Sequence, residues 1–160
     1  APQRFDDLDL KTLEGALIAG KILAYAQGFV MIAATGDVHG WDIDLPQVAR
    51  IWREGCIIRS TMLDDMAAAL ADHAGDNLMR TPYFADLMKT HHGALRHVVA
   101  GAALNGHATP ALSSGLAYFD MMRTARGTAN MIQGQRDFFG LHGFVHVNGA
   151  TDQHGPWAQD

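Results

Sequence analysis

The sequence predicts an all-α, multi-helix domain with a long first helix and an irregular C-terminal tail. Apolar residues recur at three- and four-residue spacings through most of the chain up to Gly140, which is the period of an amphipathic helix. No alternating strand pattern of convincing length interrupts them. After Gly140, repeated glycines and Pro156 break any period, so no packed element is expected there. We therefore expect helices over residues 1–141 and an extended tail over residues 142–160.

The long first helix is predicted over residues 10–34, with Gly36 as its stop. Two glycines lie inside it, Gly20 and Gly28, and each weakens a helix by about 1 kcal/mol relative to alanine. Their expected benefit is a close approach between this helix and its neighbours.

Further helices are indicated by prolines and capping residues. Proline is tolerated in the first turn of a helix, and threonine before it is a good N-cap, as in Thr81-Pro82 and Thr109-Pro110. The predicted helices are a short one beginning at Pro46 and longer ones over residues 58–73, 82–105, 110–122 and 128–139.

Composition excludes several functional classes. Hydrophobic residues make up 48% and charged residues 18%, which is typical of a folded globular domain and not of a disordered chain. The formal net charge of −5 argues against a nucleic-acid partner, because phosphate binding requires clustered Lys and Arg. The most apolar stretch, residues 16–34, is interrupted by Lys21 and Gln27, so no membrane span of roughly 20 residues is expected.

The first residues and the single cysteine bear on cellular location. The N-terminus lacks the basic patch and apolar segment of a signal peptide. Cys56 has no second cysteine with which to form an internal disulfide, and it lies in an apolar setting typical of core packing. A reducing cytoplasm is therefore the expected compartment.

Two nucleotide-binding motifs are considered and set aside. Residues 15–21 nearly match a P-loop, but Ile22 replaces the Ser or Thr that would hold magnesium, and the segment follows a helical pattern. No glycine pair has the Gly-x-Gly spacing of a dinucleotide fingerprint. The chain alone is thus not expected to bind a nicotinamide cofactor, and a Rossmann domain is expected to be absent from it.

Nine histidines raise the question of a metal site. His91 and His92 are adjacent and point to different faces of a helix, and neither is four residues from His97. His142 and His146 have a better spacing, but Gly143 argues against a helix there. Surface or core histidines are the favoured interpretation, and no metal is expected.

Arg136 and His142 are the candidate binding residues. An arginine can grip a phosphate with two parallel N–H donors, and a histidine can serve as a donor or as an acid or base. On spacing alone the pair is only suggestive, because an arginine near a helix C-terminus also interacts favourably with the helix dipole.

Three longer blocks of sequence are more specific than any of these short motifs. They are residues 21–29 (KILAYAQGF), 51–59 (IWREGCIIR) and 129–142 (ANMIQGQRDFFGLH). In this order and approximate spacing, with residues 118–120 (YFD) between them, they resemble the C-terminal helical domain of the 6-phosphogluconate dehydrogenase family over roughly residues 10–142.

The resemblance implies a function that neither composition nor spacing reveals. Members of that family oxidise 6-phosphogluconate with NADP, or sometimes NAD, and release carbon dioxide to give ribulose 5-phosphate in the pentose phosphate pathway. Arg136 matches the family's phosphate-gripping arginine, and His142 matches a histidine that contacts substrate. The helical domain forms most of a homodimer interface, and its tail reaches the partner subunit's active site.

The same resemblance limits what this chain can do. The family's catalytic lysine and glutamate lie upstream, so no catalytic residue is expected here and the isolated chain is expected to be inactive. The sequence departs from the family at Gly134 and again after His142, where it reads GFVH. The alternatives are a non-enzymatic helical dimerisation or interaction module, and a domain of a related hydroxyacid dehydrogenase.

Overall fold

The computed structural model describes residues 1–158 and contains six α-helices in that part of the chain. Residues 159 and 160 of the expected tail lie outside the described residues. No strand forms within residues 1–158, where the sole β-pairing is an isolated bridge between Phe144 and Gln153. The all-α prediction is confirmed. The helices are α1 (Leu10–His39), α2 (Leu45–Gly55), α3 (Met62–Asp72), α4 (Pro82–Leu104), α5 (Pro110–Arg123) and α6 (Ala129–Gly140), with a short 3-10 turn at Leu78–Arg80.

The first helix is longer than the sequence indicates. The carboxylate of Asp9 caps its start by accepting from the Thr12 amide at 2.7 Å. The expected stop at Gly36 is wrong, because Gly36 is buried within the helix and accepts a hydrogen bond from the Trp41 amide at 2.9 Å. The helix ends instead at Gly40, whose φ of 67° lies in the left-handed region that favours glycine.

Two other helix starts differ in detail. The helix expected from Ile58 begins at Met62, because residues 56–61 form a turn closed by the Arg59 amide and the Cys56 carbonyl at 3.0 Å. The Tyr25 hydroxyl also donates to the Ile58 carbonyl there. Helix α4 begins at Pro82 as predicted, but the Thr81 hydroxyl donates to the Leu78 carbonyl at 2.8 Å and does not cap the helix.

The chain divides into two compact units, Ala1–Phe119 and Asp120–Asp160. In the first unit, α1 packs mainly against α4, and α2 packs against α3. Close approach at Gly20 is confirmed, since a methyl group there would lie 2.5 Å from the Leu112 side chain. The close approach expected at Gly28 is wrong, because no atom of a neighbouring element lies within 4 Å of a Cβ added there. The fully buried core side chains of this unit include Ile22, Leu23, Leu63, Met66, Phe84 and Leu95.

The N-terminal nine residues lie along the end of α4. The Gln3 amide donates to the Asn105 carbonyl at 2.8 Å, and the His107 side chain donates back to the Gln3 carbonyl at 2.7 Å. The Phe5 ring covers Gly101 so closely that a Cβ there would lie 2.0 Å from the ring. The absence of a side chain at Gly101 therefore makes this packing possible.

The second unit contains α6 and the residues that follow it. These residues fold against α6 through hydrogen bonds to Asp137, so the segment beyond Leu141 is irregular but not loosely extended. The structural division at Asp120 also differs from the expected division after residue 141. The physical reason is that α6 and the tail share one buried carboxylate.

Helix α1 is, by length and composition, apolar enough to cross a membrane, contrary to the sequence-based expectation. Lys21 and Gln27 interrupt the apolar run, but two polar residues do not lower the mean hydropathy of the helix enough to exclude a span. About two-fifths of its most apolar window is buried inside the protein. One such helix is weak evidence for a membrane span, because the core helix of a soluble protein meets the same criteria.

Candidate substrate-binding site

A cavity of about 850 Å³ lies in the second unit, between the start of α6 and the tail. Asn130 and Gln133 contribute polar groups from α6, and His142 and His146 contribute imidazoles from the tail. Apolar side chains, among them Phe144 and Trp157, complete its lining. The cavity therefore combines apolar walls with several neutral or ionisable polar groups.

Asp137 organises this unit. Its side chain is fully buried, and each carboxylate oxygen accepts two hydrogen bonds. One oxygen accepts from the Gly143 amide at 2.8 Å and from the His154 ring at 2.6 Å. The other accepts from the Gly155 amide at 2.9 Å and from the Trp157 indole at 2.8 Å. A buried carboxylate with these donors is well satisfied, and it ties both ends of the tail to α6.

The same contacts set the charge of Asp137. Burial alone raises the pKa of its carboxyl, but hydrogen bonds from Gly155, His154, Gly143 and Trp157 outweigh burial and hold that pKa well below its ordinary value of 3.8. Asp137 is therefore ionised throughout the physiological pH range.

The backbone on either side of His142 is sharply turned. Leu141, the C-cap of α6, has a φ of 50°, and Gly143 has a φ of 70°. The His142 ring folds back over Gly140, where an added Cβ would lie 3.0 Å from its Nε2 atom. These two left-handed residues end the helix and place the exposed His142 side chain in the cavity lining.

Arg136 lies on the exposed surface of α6, and its guanidinium donates to the Gln133 side chain at 3.4 Å. It is not among the residues that line the cavity, whereas Gln133 and His142 both are. The structure thus connects Arg136 to the cavity through Gln133 and does not bring Arg136 and His142 into direct contact.

The first two sequence blocks meet in the first unit. Tyr25 and Phe29 of α1 pack against Trp52 of α2, with ring centroids 6.1 and 5.3 Å from the indole. A second cavity of about 540 Å³ lies beside these rings and is lined also by Lys21 and Arg59. Burial raises the pKa of the Tyr25 phenol. The near P-loop of residues 15–21 lies entirely within α1, as predicted.

No group of three potential metal ligands from His, Cys, Asp and Glu comes together within residues 1–158. His142 and His146 share the cavity lining, but Asp137 is occupied by four protein donors.

Comparisons with known proteins identify the family. The family model "6-phosphogluconate dehydrogenase, C-terminal domain" matches residues 4–157 of this chain. The chain belongs to this family.

Its relatives share both sequence and fold with it. The chain is similar to "6-phosphogluconate dehydrogenase, decarboxylating" from Klebsiella pneumoniae, at 40% identity over 94% of this chain and 32% of that protein. The protein of the same name from Citrobacter freundii is 44% identical over 79% of this chain and 29% of its own length. A solved Plasmodium falciparum 6-phosphogluconate dehydrogenase superposes with a TM-score of 0.87 at 33% identity, over 95% of this chain and 34% of that one.

The chain thus spans about a third of the length of the 6-phosphogluconate dehydrogenases that it matches. The Plasmodium falciparum protein is described in its apo form, in complex with its cofactor NADP+ and in complex with its substrate 6-phosphogluconate. The match of residues 4–157 extends through both structural units, so the tail beyond His142 belongs to the 6-phosphogluconate dehydrogenase C-terminal domain despite its departures.

Sequence reasoning missed Asp137 and Gln133, although both lie in the block that carries Arg136. Their spacing of four residues places them on one face of α6. That spacing is a signal in the sequence for a shared role. The tail donors to Asp137 lie 6 to 20 residues after it at irregular intervals, so no sequence pattern predicts them.

Proposed function

We propose that this chain is the C-terminal domain of a decarboxylating 6-phosphogluconate dehydrogenase that works in the cytoplasm. The complete enzyme would oxidise 6-phosphogluconate and release carbon dioxide to yield ribulose 5-phosphate. The family match over residues 4–157 and the fold shared with a 6-phosphogluconate dehydrogenase support this assignment. The proposal places the chain in gluconate use and the pentose phosphate pathway.

Arg136 and His142 are proposed to bind the substrate in that enzyme. Arg136 presents an exposed guanidinium suited to the phosphate, and His142 presents an exposed imidazole at the cavity. The observation that carries this role is the turn between α6 and the tail, which the hydrogen bond from the Gly143 amide to Asp137 closes. Holding both side chains in one geometry reduces the entropy lost on binding.

The residues described here do not fit a nicotinamide cofactor. Residues 1–158 contain no strand–helix–strand unit and no Gly-x-Gly turn to receive a pyrophosphate. In the proposed enzyme, NADP (or NAD) is therefore held by a part other than these residues, and the isolated chain is expected not to oxidise 6-phosphogluconate.

A second copy of the chain is the proposed partner of α6 and the tail. This unit exposes several large apolar side chains, and large exposed apolar patches mark interaction sites. A homodimer in which the tail reaches the partner subunit's active site would cover them and would bring Arg136 and His142 to the substrate. On α6 and the tail, the most exposed of these side chains are Met131, Phe138, Phe139, Val145 and Val147.

The phosphate role of Arg136 is tested in the complete dehydrogenase. Arg136→Ala should raise KM for 6-phosphogluconate by on the order of a hundredfold, since a hydrogen bond to a charged group is worth up to about 3 kcal/mol. Arg136→Lys should retain part of the affinity. Arg126→Ala, which removes an exposed arginine from the same unit, is the matched control. An unchanged KM in Arg136→Ala would remove the proposed role.

A further inference from the structure

The backbone of Gly143 is held on both sides of its Cα atom by side chains of α6. Its amide donates to Asp137 at 2.8 Å, and its carbonyl accepts from the Gln133 side-chain amide at 2.6 Å. Gln133 and Asp137 are four residues apart and face the tail together. The residue immediately before Gly143 is His142, so these two hydrogen bonds fix the backbone directly beside His142.

The orientation of the Gln133 amide is fixed by its neighbours. Its nitrogen must face the Gly143 carbonyl, because only the nitrogen can donate. Its oxygen then faces Arg136, whose guanidinium can only donate and lies 3.4 Å away. The reversed amide would place two acceptors together and two donors together. Gln133 therefore joins Arg136 to the carbonyl of Gly143, the residue that follows His142.

We propose that Gln133 is a positioning residue that holds Arg136 and His142 in one arrangement for substrate binding. The substrate part of this inference rests on the proposed function. A single side chain contacts the guanidinium with one atom and the tail backbone with another, so its loss removes both contacts at once. Gln133 itself need not touch the reacting atoms.

Two substitutions of Gln133 differ in which of its two hydrogen bonds they remove. Gln133→Ala removes both, whereas Gln133→Glu keeps an acceptor for Arg136 but places a carboxylate against the Gly143 carbonyl. Gln135→Ala is the matched control, because Gln135 is an exposed glutamine on the same helix and does not line the His142 cavity.

The first measurement is amide hydrogen exchange in the 160-residue chain. The Gly143 amide should exchange about tenfold faster in both Gln133 variants, because the Gly143 carbonyl loses a hydrogen bond worth about 1.4 kcal/mol and only Asp137 then holds this residue. Amides of α1 and α4 should keep their protection, which separates a local effect from a general loss of stability. Unchanged Gly143 exchange in both variants overturns the positioning role itself.

The second measurement is steady-state kinetics of the complete dehydrogenase. Both Gln133 variants should raise KM for 6-phosphogluconate about tenfold and leave kcat within about threefold, because binding and not chemistry depends on the arrangement. Gln135→Ala should match the unsubstituted enzyme. A KM within twofold of the unsubstituted value in both Gln133 variants overturns the inference. If the unsubstituted enzyme does not oxidise 6-phosphogluconate, the proposed function and the substrate part of this inference fall, whereas Gly143 exchange still decides the positioning role.

Discussion

Different forces stabilise the interiors of the two units. Residues 1–119 are stabilised by a continuous apolar core that α1 and α4 share with shorter helices. Within the described part of the second unit, the fully buried side chain is not apolar at all but is the Asp137 carboxylate. Burial of apolar area dominates the first unit, and directional hydrogen bonds to one charge organise the second.

This difference matches the role proposed for each unit. An apolar core tolerates small shifts and supports a stable scaffold, whereas a set of hydrogen bonds at 2.6–2.9 Å fixes a backbone in one geometry. The proposed substrate-binding role of His142 needs such a geometry, because His142 lies in the tail directly before Gly143, whose amide Asp137 holds. The unit also exposes several large apolar side chains, and the homodimer proposed above would cover them.

The largest effect on stability is expected from the apolar core. Phe84 is fully buried, and Phe84→Ala should lower the free energy of unfolding by about 3–5 kcal/mol through lost burial and a cavity. Its neighbour Tyr83 is about half exposed, so Tyr83→Ala should cost less than about 1 kcal/mol. Urea unfolding of the two variants measures this contrast, and equal losses would contradict the assignment of the core.

A smaller effect is expected where the N-terminal segment crosses α4. Gly101→Ala should destabilise the chain by about 1–3 kcal/mol, because the new methyl group overlaps the Phe5 ring. Gly93 lies in the same helix with no atom within 4 Å, so Gly93→Ala should stabilise it by up to about 1 kcal/mol. Thermal unfolding of both variants tests the pair, and a rise in Tm for Gly101→Ala would refute the close contact.

The smallest effect in the neutral range is expected from pH. Because the folded-state pKa of Asp137 is lower than its ordinary value of 3.8, its contribution to stability is fully present above that value. The contribution is lost as pH falls below 3.8 and through the folded-state pKa. The Trp157 indole N–H signal in NMR should stay constant from about pH 8 to pH 5 and change only in strong acid. A change centred near pH 6 would show that another group controls the contact.

The first unit could largely be predicted from sequence, because its information is local and periodic. The proline starts at Pro46, Pro82 and Pro110 all lie in the first turns of their helices. The end of α1 could not be predicted, because Gly36 and Gly40 are equivalent in sequence and only the left-handed φ at Gly40 distinguishes them.

The second unit could be predicted only in part. The resemblance of residues 129–142 identified Arg136 and His142, and their proposed roles in substrate binding stay predictions. The structure of the tail depends on Asp137 and on donors as far away as Trp157, and such contacts leave no periodic trace in the sequence. A buried polar network of this kind becomes visible only when the backbone path is known.

The role of the Asp137 hydrogen bonds in substrate binding is tested most directly by substituting Asp137→Asn in the complete dehydrogenase and measuring KM for 6-phosphogluconate. The asparagine keeps the size of the side chain but replaces one acceptor oxygen with a donor, which then faces two of the four donors. We expect KM to rise by at least about tenfold, while hydrogen exchange in α1 and α4 is unchanged. An unchanged KM would contradict the claim that the Asp137 hydrogen bonds shape the substrate-binding site.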